Sequence, residues 1–315
     1  MKEEAFKCRY VYGPVPSRRL GRSLGIDLVP YKTCTYDCVY CQLGRTTNKT
    51  IERKEYIKIE DILAELDVKL GVDPEPDYIS LAGSGEPTLN LRISDLIEKI
   101  KGMTKIPVAV ITNGALLWRE EVRDALIGAD LVLPSLDAAD GAMFRYVNRP
   151  QEDIAFAKMI SGIDNFIGAF PGSVWLEVFL LAGVTAIPAE VEKFAVLVGK
   201  LRPERVQLNT VYRPPAEDFA EAVSVEQLKD FQNYFTGNVE IIVEYPSGPS
   251  PAGETVSAEA DIMALLKRRP CTLQDVSAGL ALSPMTVMKE LNTLCRLGKV
   301  ENVTKRGSIF YRVVK

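Results

Sequence analysis

Apolar residues recur along the first 245 positions with two alternating periods, and the pattern predicts strands separated by helices. Short β-rich runs at 25–29, 78–82, 108–112, 131–135, 174–181 and 206–209 read as six strands, and 239–244 as a candidate seventh. Helical spacing fills the intervals. Residues 59–70 place Ile59, Ile62, Leu63, Leu66 and Leu70 on one face, and 91–100, 118–127, 154–166, 190–201 and 225–235 follow suit, the last with Ser224 as its cap. Alternating strands and helices predict a parallel sheet with right-handed crossovers. The expected fold is α/β, a partial (β/α)6 barrel, with a doubly wound open sheet as the alternative. In both, reactive groups gather at the C-terminal ends of the strands.

The pattern changes after residue 245. The stretch 246–253 holds three prolines and two glycines in eight residues, which suits neither helix nor central strand, so 246–256 reads as a linker. Beyond it, 258–267, 272–280 and 283–297 are helical. Thr272 and Ser283 are caps, Asp275 lies in the first turn of its helix, and Pro284 takes the first helical position. Strands at 300–303 and 309–313 flank a turn at Lys305, Arg306 and Gly307. Three helices and a hairpin predict a small winged-helix domain over 257–315, beside a barrel over 1–245.

Charge separates the two units. Residues 257–315 carry 10 Lys and Arg against 5 Asp and Glu, a net of +5, so the rest of the chain, with a total of −4, carries −9. A basic segment on an acidic body points to a module that meets an anionic partner. No apolar run approaches the roughly 20 residues of a membrane helix. The first twelve residues lack the apolar core of a secretory signal. The expectation is a cytoplasmic protein with no membrane association. The chain has no histidine, which removes His–metal sites, Ser–His–Asp triads and imidazole acid–base catalysis. Six cysteines remain, and in a cytosolic chain of this length clustered cysteines bind metal or do redox work.

Three of them, Cys34, Cys38 and Cys41, fall within eight residues at the end of the first predicted strand. A structural zinc site wants four ligands, commonly in two pairs; three thiolates on a cubane cluster leave one iron open. Tyr40 precedes the last cysteine. A glycine-rich run with Gly83, Ser84, Gly85 and Glu86 ends the second strand, where glycines let backbone approach a ligand closely. Thr112 and Asn113 end the third, and Ser135 and Asp137 the fourth. Over residues 13–215 this arrangement resembles the radical S-adenosylmethionine superfamily. The resemblance implies that Cys34, Cys38 and Cys41 hold a [4Fe–4S] cluster and that the glycine run takes the methionine amino group of S-adenosyl-L-methionine (SAM). Thr112, Asn113, Ser135 and Asp137 would line the rest of the cosubstrate. It further implies reductive cleavage to a 5′-deoxyadenosyl radical, with a one-electron donor such as flavodoxin or ferredoxin.

The segments 11–25 and 41–47 look like a group of iron–sulfur proteins related to tRNA wyosine-base synthases, though this chain lacks the further cysteines those synthases use for a second cluster. Arg18, Arg19 and Arg22 lie in the first of these segments and suit a phosphate or carboxylate, or form a solvated basic loop. Arg145 and Arg149, after the fourth strand, are weaker candidates. Among polar residues at later strand ends, Asn209 is expected at the cosubstrate, and Glu177 and Arg213 are the candidate catalytic side chains, or else satisfied core groups. Three functions compete: a radical enzyme acting on RNA, slightly favoured; one acting on a protein or peptide presented by the small domain; and a redox-sensing DNA-binding regulator. The glycine run counts against the last, because a sensor needs no cosubstrate pocket.

Overall fold

A computed structural model of the chain describes residues 8–72, 75–242, 258–280 and 282–314. In the N-terminal unit the elements are β1 (Val11–Ser17), β2 (Gly21–Ile26), the two-residue strands β3 (Thr33–Cys34) and β4 (Asn48–Lys49), α1 (Ile59–Val72) and β5 (Tyr78–Leu81). Then come α2 (Ile93–Met103), β6 (Val108–Thr112), α3 (Glu120–Leu126), β7 (Leu131–Leu136), α4 (Gly141–Val147) and α5 (Phe156–Ala169). The unit ends with β8 (Ser173–Leu180), α6 (Pro188–Leu201), β9 (Arg205–Thr210), α7 (Val225–Gln232) and β10 (Val239–Ile241). One sheet runs β1-β2-β5-β6-β7-β8-β9-β10, parallel throughout except for the antiparallel β1–β2 pair. It is the mostly parallel α/β sheet expected, a partial barrel whose edges are β1 and β10. The main core lies between the sheet and its helices and is built from fully buried side chains such as Ile59, Ile62, Leu96, Val110, Ile163 and Phe194.

The first strand is displaced from its expected place. It spans Gly21–Ile26 rather than 25–29, and β1 precedes it where the sequence predicts no element. Pro14 and Pro16 mask β1 in the sequence, because proline cannot donate to a ladder; an edge strand tolerates it. The start of β1 is fixed from a distance. The Glu65 carboxylate on α1 accepts the backbone N–H groups of Arg9, Tyr10 and Val11 at 2.7–2.9 Å. The β1–β2 turn then tucks Leu20 against Ala109, Leu131 and Leu133 on the inner face of the sheet. The helix α4 was also not expected; Asp140 caps it by accepting from Ala142 and Met143 N–H. The helix expected at 118–127 is shorter, since Arg119 is still extended at its N-cap.

The C-terminal unit contains α8 (Ala258–Arg268), α9 (Leu273–Leu280), α10 (Pro284–Arg296) and the hairpin β11 (Val300–Lys305) and β12 (Ser308–Val313). Ser283 caps α10 and Pro284 opens it, as the sequence indicates. The segment 246–256 lies outside the described residues. The unit has its own apolar core around Ile262, Leu266, Val287, Leu291 and Leu294, and Val15 of β1 belongs to that core. On the other side, Lys305 pairs with Glu221 at 3.0 Å, Arg306 donates to the Ala222 carbonyl, and Tyr212 meets Phe310 edge-on at 6.0 Å. The unit therefore touches the β1 edge of the sheet and also the chain that follows β9.

Because Glu65 satisfies three backbone donors at once, Glu65→Ala leaves them without a partner. The variant is expected to lose about 3 kcal/mol of stability, read as a lower urea midpoint at unchanged slope.

Candidate functional site

The parallel strands deliver their C-terminal ends to one face, and the loop after β2 carries all three clustered cysteines. That loop is fixed along its length. Lys32 N–H donates to the Ser84 carbonyl at 2.7 Å, and Thr33 and Cys34 pair with Asn48 and Lys49. Asp37 and Val39 N–H groups reach the Asn148 and Val147 carbonyls at 3.0 and 2.9 Å. Tyr36 is buried edge-on against Phe144, with ring centroids 5.3 Å apart.

Each thiol faces a nitrogen donor: Asn113 Nδ2 lies 3.6 Å from Cys34 Sγ, Asn148 Nδ2 3.4 Å from Cys38 Sγ, and Lys32 Nζ 3.2 Å from Cys41 Sγ. Burial, followed by the Glu86 charge, pushes the Cys34 thiol up to about 12. Burial and then Asp137 push Cys38 well above its usual value. Such thiols need a bound cation to become thiolates, and the donors around them suit anionic sulfur. Among the described residues no three His, Cys, Asp or Glu side chains converge as they would on a single metal ion. The thiolates of a cubane each take a different iron and need not converge.

The glycine run folds back onto the cysteine loop. A Cβ on Gly85 would lie 1.9 Å from the Thr33 carbonyl oxygen, and Gly83 adopts a positive φ of 116° beside Asp27. The sequence expectation was that these glycines admit a ligand; the contacts they permit are with Thr33 and Asp27, although both also line the cleft described below. Asp27, 6% exposed, accepts the Ser84 N–H at 2.7 Å, and its other oxygen pairs with Arg268 at 3.2 Å. Glu86 is buried and saturated. Its carboxylate accepts Thr88 Oγ1 at 2.6 Å, Thr112 Oγ1 at 2.7 Å and the Asn113 N–H at 2.8 Å, which locks β5 to β6.

On the next two strands, Asp137 Oδ2 accepts Tyr40 Oη at 2.5 Å and Asn148 Nδ2 at 2.6 Å, while Oδ1 is buried with no hydrogen-bond partner. Burial raises this carboxyl to about 7. Tyr40 stacks on Phe179 at 4.0 Å. Glu177 is held by Asn209 Nδ2 at 2.7 Å, Ser135 Oγ at 3.0 Å and Arg19 at 3.1 Å. Burial works to raise the Glu177 carboxyl, but Arg19, Asn209 and Ser135 together hold it below its usual value.

These elements enclose a cleft of about 310 Å³. Of the residues singled out in the sequence, Cys34, Cys41, Tyr40, Gly83, Gly85, Glu177, Asn209 and Arg213 line it. Cys38, Ser84, Glu86, Thr112, Asn113, Ser135 and Asp137 stand behind as partners of the lining. Arg18 and Arg19 reach the cleft from the β1–β2 turn. Arg22 does not; it sits at the opposite end of β2, where its backbone pairs with Asp77. Arg149 is taken up by Glu217 at 2.6 Å. Reasoning from sequence missed Asp27, Lys32, Asn148 and Arg269. Lys32 and Asp27 flank the motif and were open to notice. No local signal marks Asn148 or Arg269, which come from α4 and the C-terminal unit.

Residues 28–197 match the profile of the radical SAM superfamily. A UPF0026 protein of Methanocaldococcus jannaschii is 33% identical over 95% of this chain and 94% of its own length. The chain belongs to the radical SAM superfamily, among the UPF0026 proteins. It is an enzyme of this class, whose members use a [4Fe–4S] cluster and SAM. A protein of Brachyspira hyodysenteriae named GTPase Obg is 40% identical over 98% of this chain, but the chain spans 45% of that protein's length. This chain has no Gly-x4-Gly-Lys-Ser/Thr segment of the kind that cradles nucleotide phosphates. Among solved structures, a radical SAM methyltransferase from Sphaerobacter thermophilus is similar in fold, with a TM-score of 0.55, 19% identity, and 77% of this chain and 68% of that one covered. Streptococcus suis SuiB bound to its precursor peptide SuiA gives 0.54, with 13% identity and coverage of 71% and 50%.

The Gly85 contact makes a sharp test. Gly85→Ala is expected to force Thr33 and the cysteine loop apart, and to lower iron and sulfide content after anaerobic reconstitution to about half or less. Gly102→Ala, where a Cβ meets nothing within 4 Å, should reconstitute like the parent.

Proposed function

We propose that this enzyme cleaves SAM reductively at a [4Fe–4S] cluster held by Cys34, Cys38 and Cys41, and that the resulting radical abstracts hydrogen from an anionic macromolecular substrate, with RNA favoured. The observation that carries the reading is the opening of the cysteine loop, with a nitrogen donor at each thiol, into the same cleft as Gly83, Gly85, Glu177 and Asn209. The residues present fit the absent groups: the thiols lack only a cation, and buried Asp137 Oδ1 lacks a donor. When bound, the cluster and SAM supply one-electron cleavage of a carbon–sulfur bond and a 5′-deoxyadenosyl radical.

The chain's own residues orient and enclose. Glu86, saturated by Thr88, Thr112 and Asn113, fixes the shape of the glycine run against the cysteine loop. Asp137, behind the lining, holds Tyr40 over Phe179. Glu177 has three donors already, so its part is to anchor Asn209, Ser135 and Arg19 rather than to move a proton. A small one-electron donor, a flavodoxin or ferredoxin, would supply the electron. Thiols that must stay reduced suit the cytoplasm, and among the described residues no helix is long and apolar enough to cross a membrane.

We read the C-terminal unit as a winged helix set apart by the 246–256 linker. Its wing residues Lys305 and Arg306 are engaged with Glu221 and Ala222, which disfavours a DNA-binding regulator. The grouping with wyosine-related proteins belongs to this proposal and agrees with an RNA substrate. One observation favours a protein or peptide instead: α10 exposes Met285 and Met288, at 82% and 52%.

The test is 5′-deoxyadenosine formation by anaerobically reconstituted, reduced protein given SAM. The parent should form it and Cys38→Ala should not; a parent that assembles zinc instead of iron and sulfide would sink the proposal. Glu177→Gln should keep its cluster and bind SAM about tenfold more weakly, the loss of roughly one charge-assisted hydrogen bond.

A further inference from the structure

Four guanidinium groups meet at the cleft, from three separate parts of the chain. Arg18 and Arg19 come from the β1–β2 turn, Arg213 from the chain after β9, and Arg269 from the C-terminal unit just beyond α8. Only two carboxylates answer them. Glu177 takes Arg19 at 3.1 Å, and Asp275 reaches Arg213 at 3.4 Å. Among the described residues no carboxylate lies within ion-pair distance of Arg18 or Arg269. Arg213 is 9% exposed, and its Nε is buried with no hydrogen-bond partner. The ring of Tyr212 carries Arg18 at 4.7 Å and Arg213 at 5.0 Å from its centroid, so the two like charges share one aromatic support.

Such a cluster is costly unless an anion completes it. Burial, with Arg213 and Arg19 adding to it, lowers Arg18 to about 10; at Arg269 burial is outweighed by Cys271, Asp275 and Tyr12, which raise it, so the unmet charge is concentrated on the Arg18 side. A single carboxylate is satisfied by one guanidinium fork, whereas a phosphate presents two free oxygens as a diester, or three as a terminal monoester, on a tetrahedral centre and can take more than one.

We propose that Arg18, Arg213 and Arg269 form a phosphoryl-binding subsite of the cleft, that docking of the C-terminal unit completes it by supplying Arg269, and that the phosphoryl group it holds belongs to the substrate. This rests on the reading of the cleft as the substrate site of a radical SAM enzyme. The subsite makes the C-terminal unit a wall of the active site and sets Arg269 as a specificity residue.

The experiment is calorimetric titration of inorganic pyrophosphate into the full-length, reconstituted holoenzyme held at saturating SAM, with acetate as the carboxylate probe. Expected is one saturable pyrophosphate site, acetate weaker by about tenfold or more, and Arg269→Gln weakening pyrophosphate by about tenfold, with Arg269→Lys in between. Arg18→Gln, from the β1–β2 turn rather than the C-terminal unit, should weaken it similarly and covers the case in which Arg269→Gln fails to fold. Absence of a saturable site, equal binding of acetate, or indifference to both substitutions overturns the proposal. So does a pyrophosphate site that appears in a parallel titration without SAM and is lost at saturating SAM, which would give the arginines to the cosubstrate carboxylate. If the same preparation binds pyrophosphate as expected but forms no 5′-deoxyadenosine, the radical assignment fails and the phosphoryl site stands.

Discussion

The largely buried pair between Arg268 and Asp27 joins the two units beside the glycine run. Asp27 lies directly after β2, holds the Ser84 N–H with one oxygen and Arg268 with the other, and leaves room beside it only for a glycine at position 83. Arg268 also stacks on Tyr12 of β1, 4.4 Å from its centroid, and donates to the Arg9 carbonyl at 2.8 Å. Burial raises the Asp27 carboxyl, and Arg268 works against that rise. Removing one partner of a buried pair leaves an uncompensated charge, at a cost of about 3–5 kcal/mol. The glycine run, the β1 edge and the last helix before Arg269 thus share one electrostatic anchor.

That anchor recasts the charge asymmetry of the chain. The basic C-terminal segment and acidic body point in the sequence to an external anionic partner. In the structure much of the complementarity is internal: Arg268 meets Asp27, Lys305 meets Glu221, and Asp275 of the small unit answers Arg213 of the large one. Net charge per segment records how many ions are present and not which are already paired. What is left over at the cleft, around Arg18 and Arg269, emerges only once the pairs are drawn.

How much was legible follows the range of the interactions. The cysteine spacing, the glycine run and the strand ends carrying Thr112, Ser135, Asp137 and Asn209 are short-range patterns on parallel strands, and sequence reasoning brought them to one face. The hairpin β1–β2 was not legible, because Pro14 and Pro16 argue against a strand and its support comes from Glu65, more than fifty residues away. Helix α4 was hidden by its shortness, although Asp140 offered a cap. Asn148 and Arg269 were beyond reach for the same reason as β1: Asn148 meets Cys38, 110 residues before it, and Arg269 lines a cleft otherwise built from residues 16 to 213, and no periodicity encodes that. The glycines were found for a reason that proved incomplete, since Gly85 lets Thr33, rather than only a ligand, come close.

The contribution of Arg269 also orders events in time. Synthesis releases the three cysteines roughly 230 residues before Arg269, and domains fold as units from the N-terminal side. The sheet and the cysteine loop can therefore assemble while the side of the cleft that Arg269 will line is still unbuilt. The Arg269 side of the cleft is thus the last to be made, whatever the cysteine loop already holds.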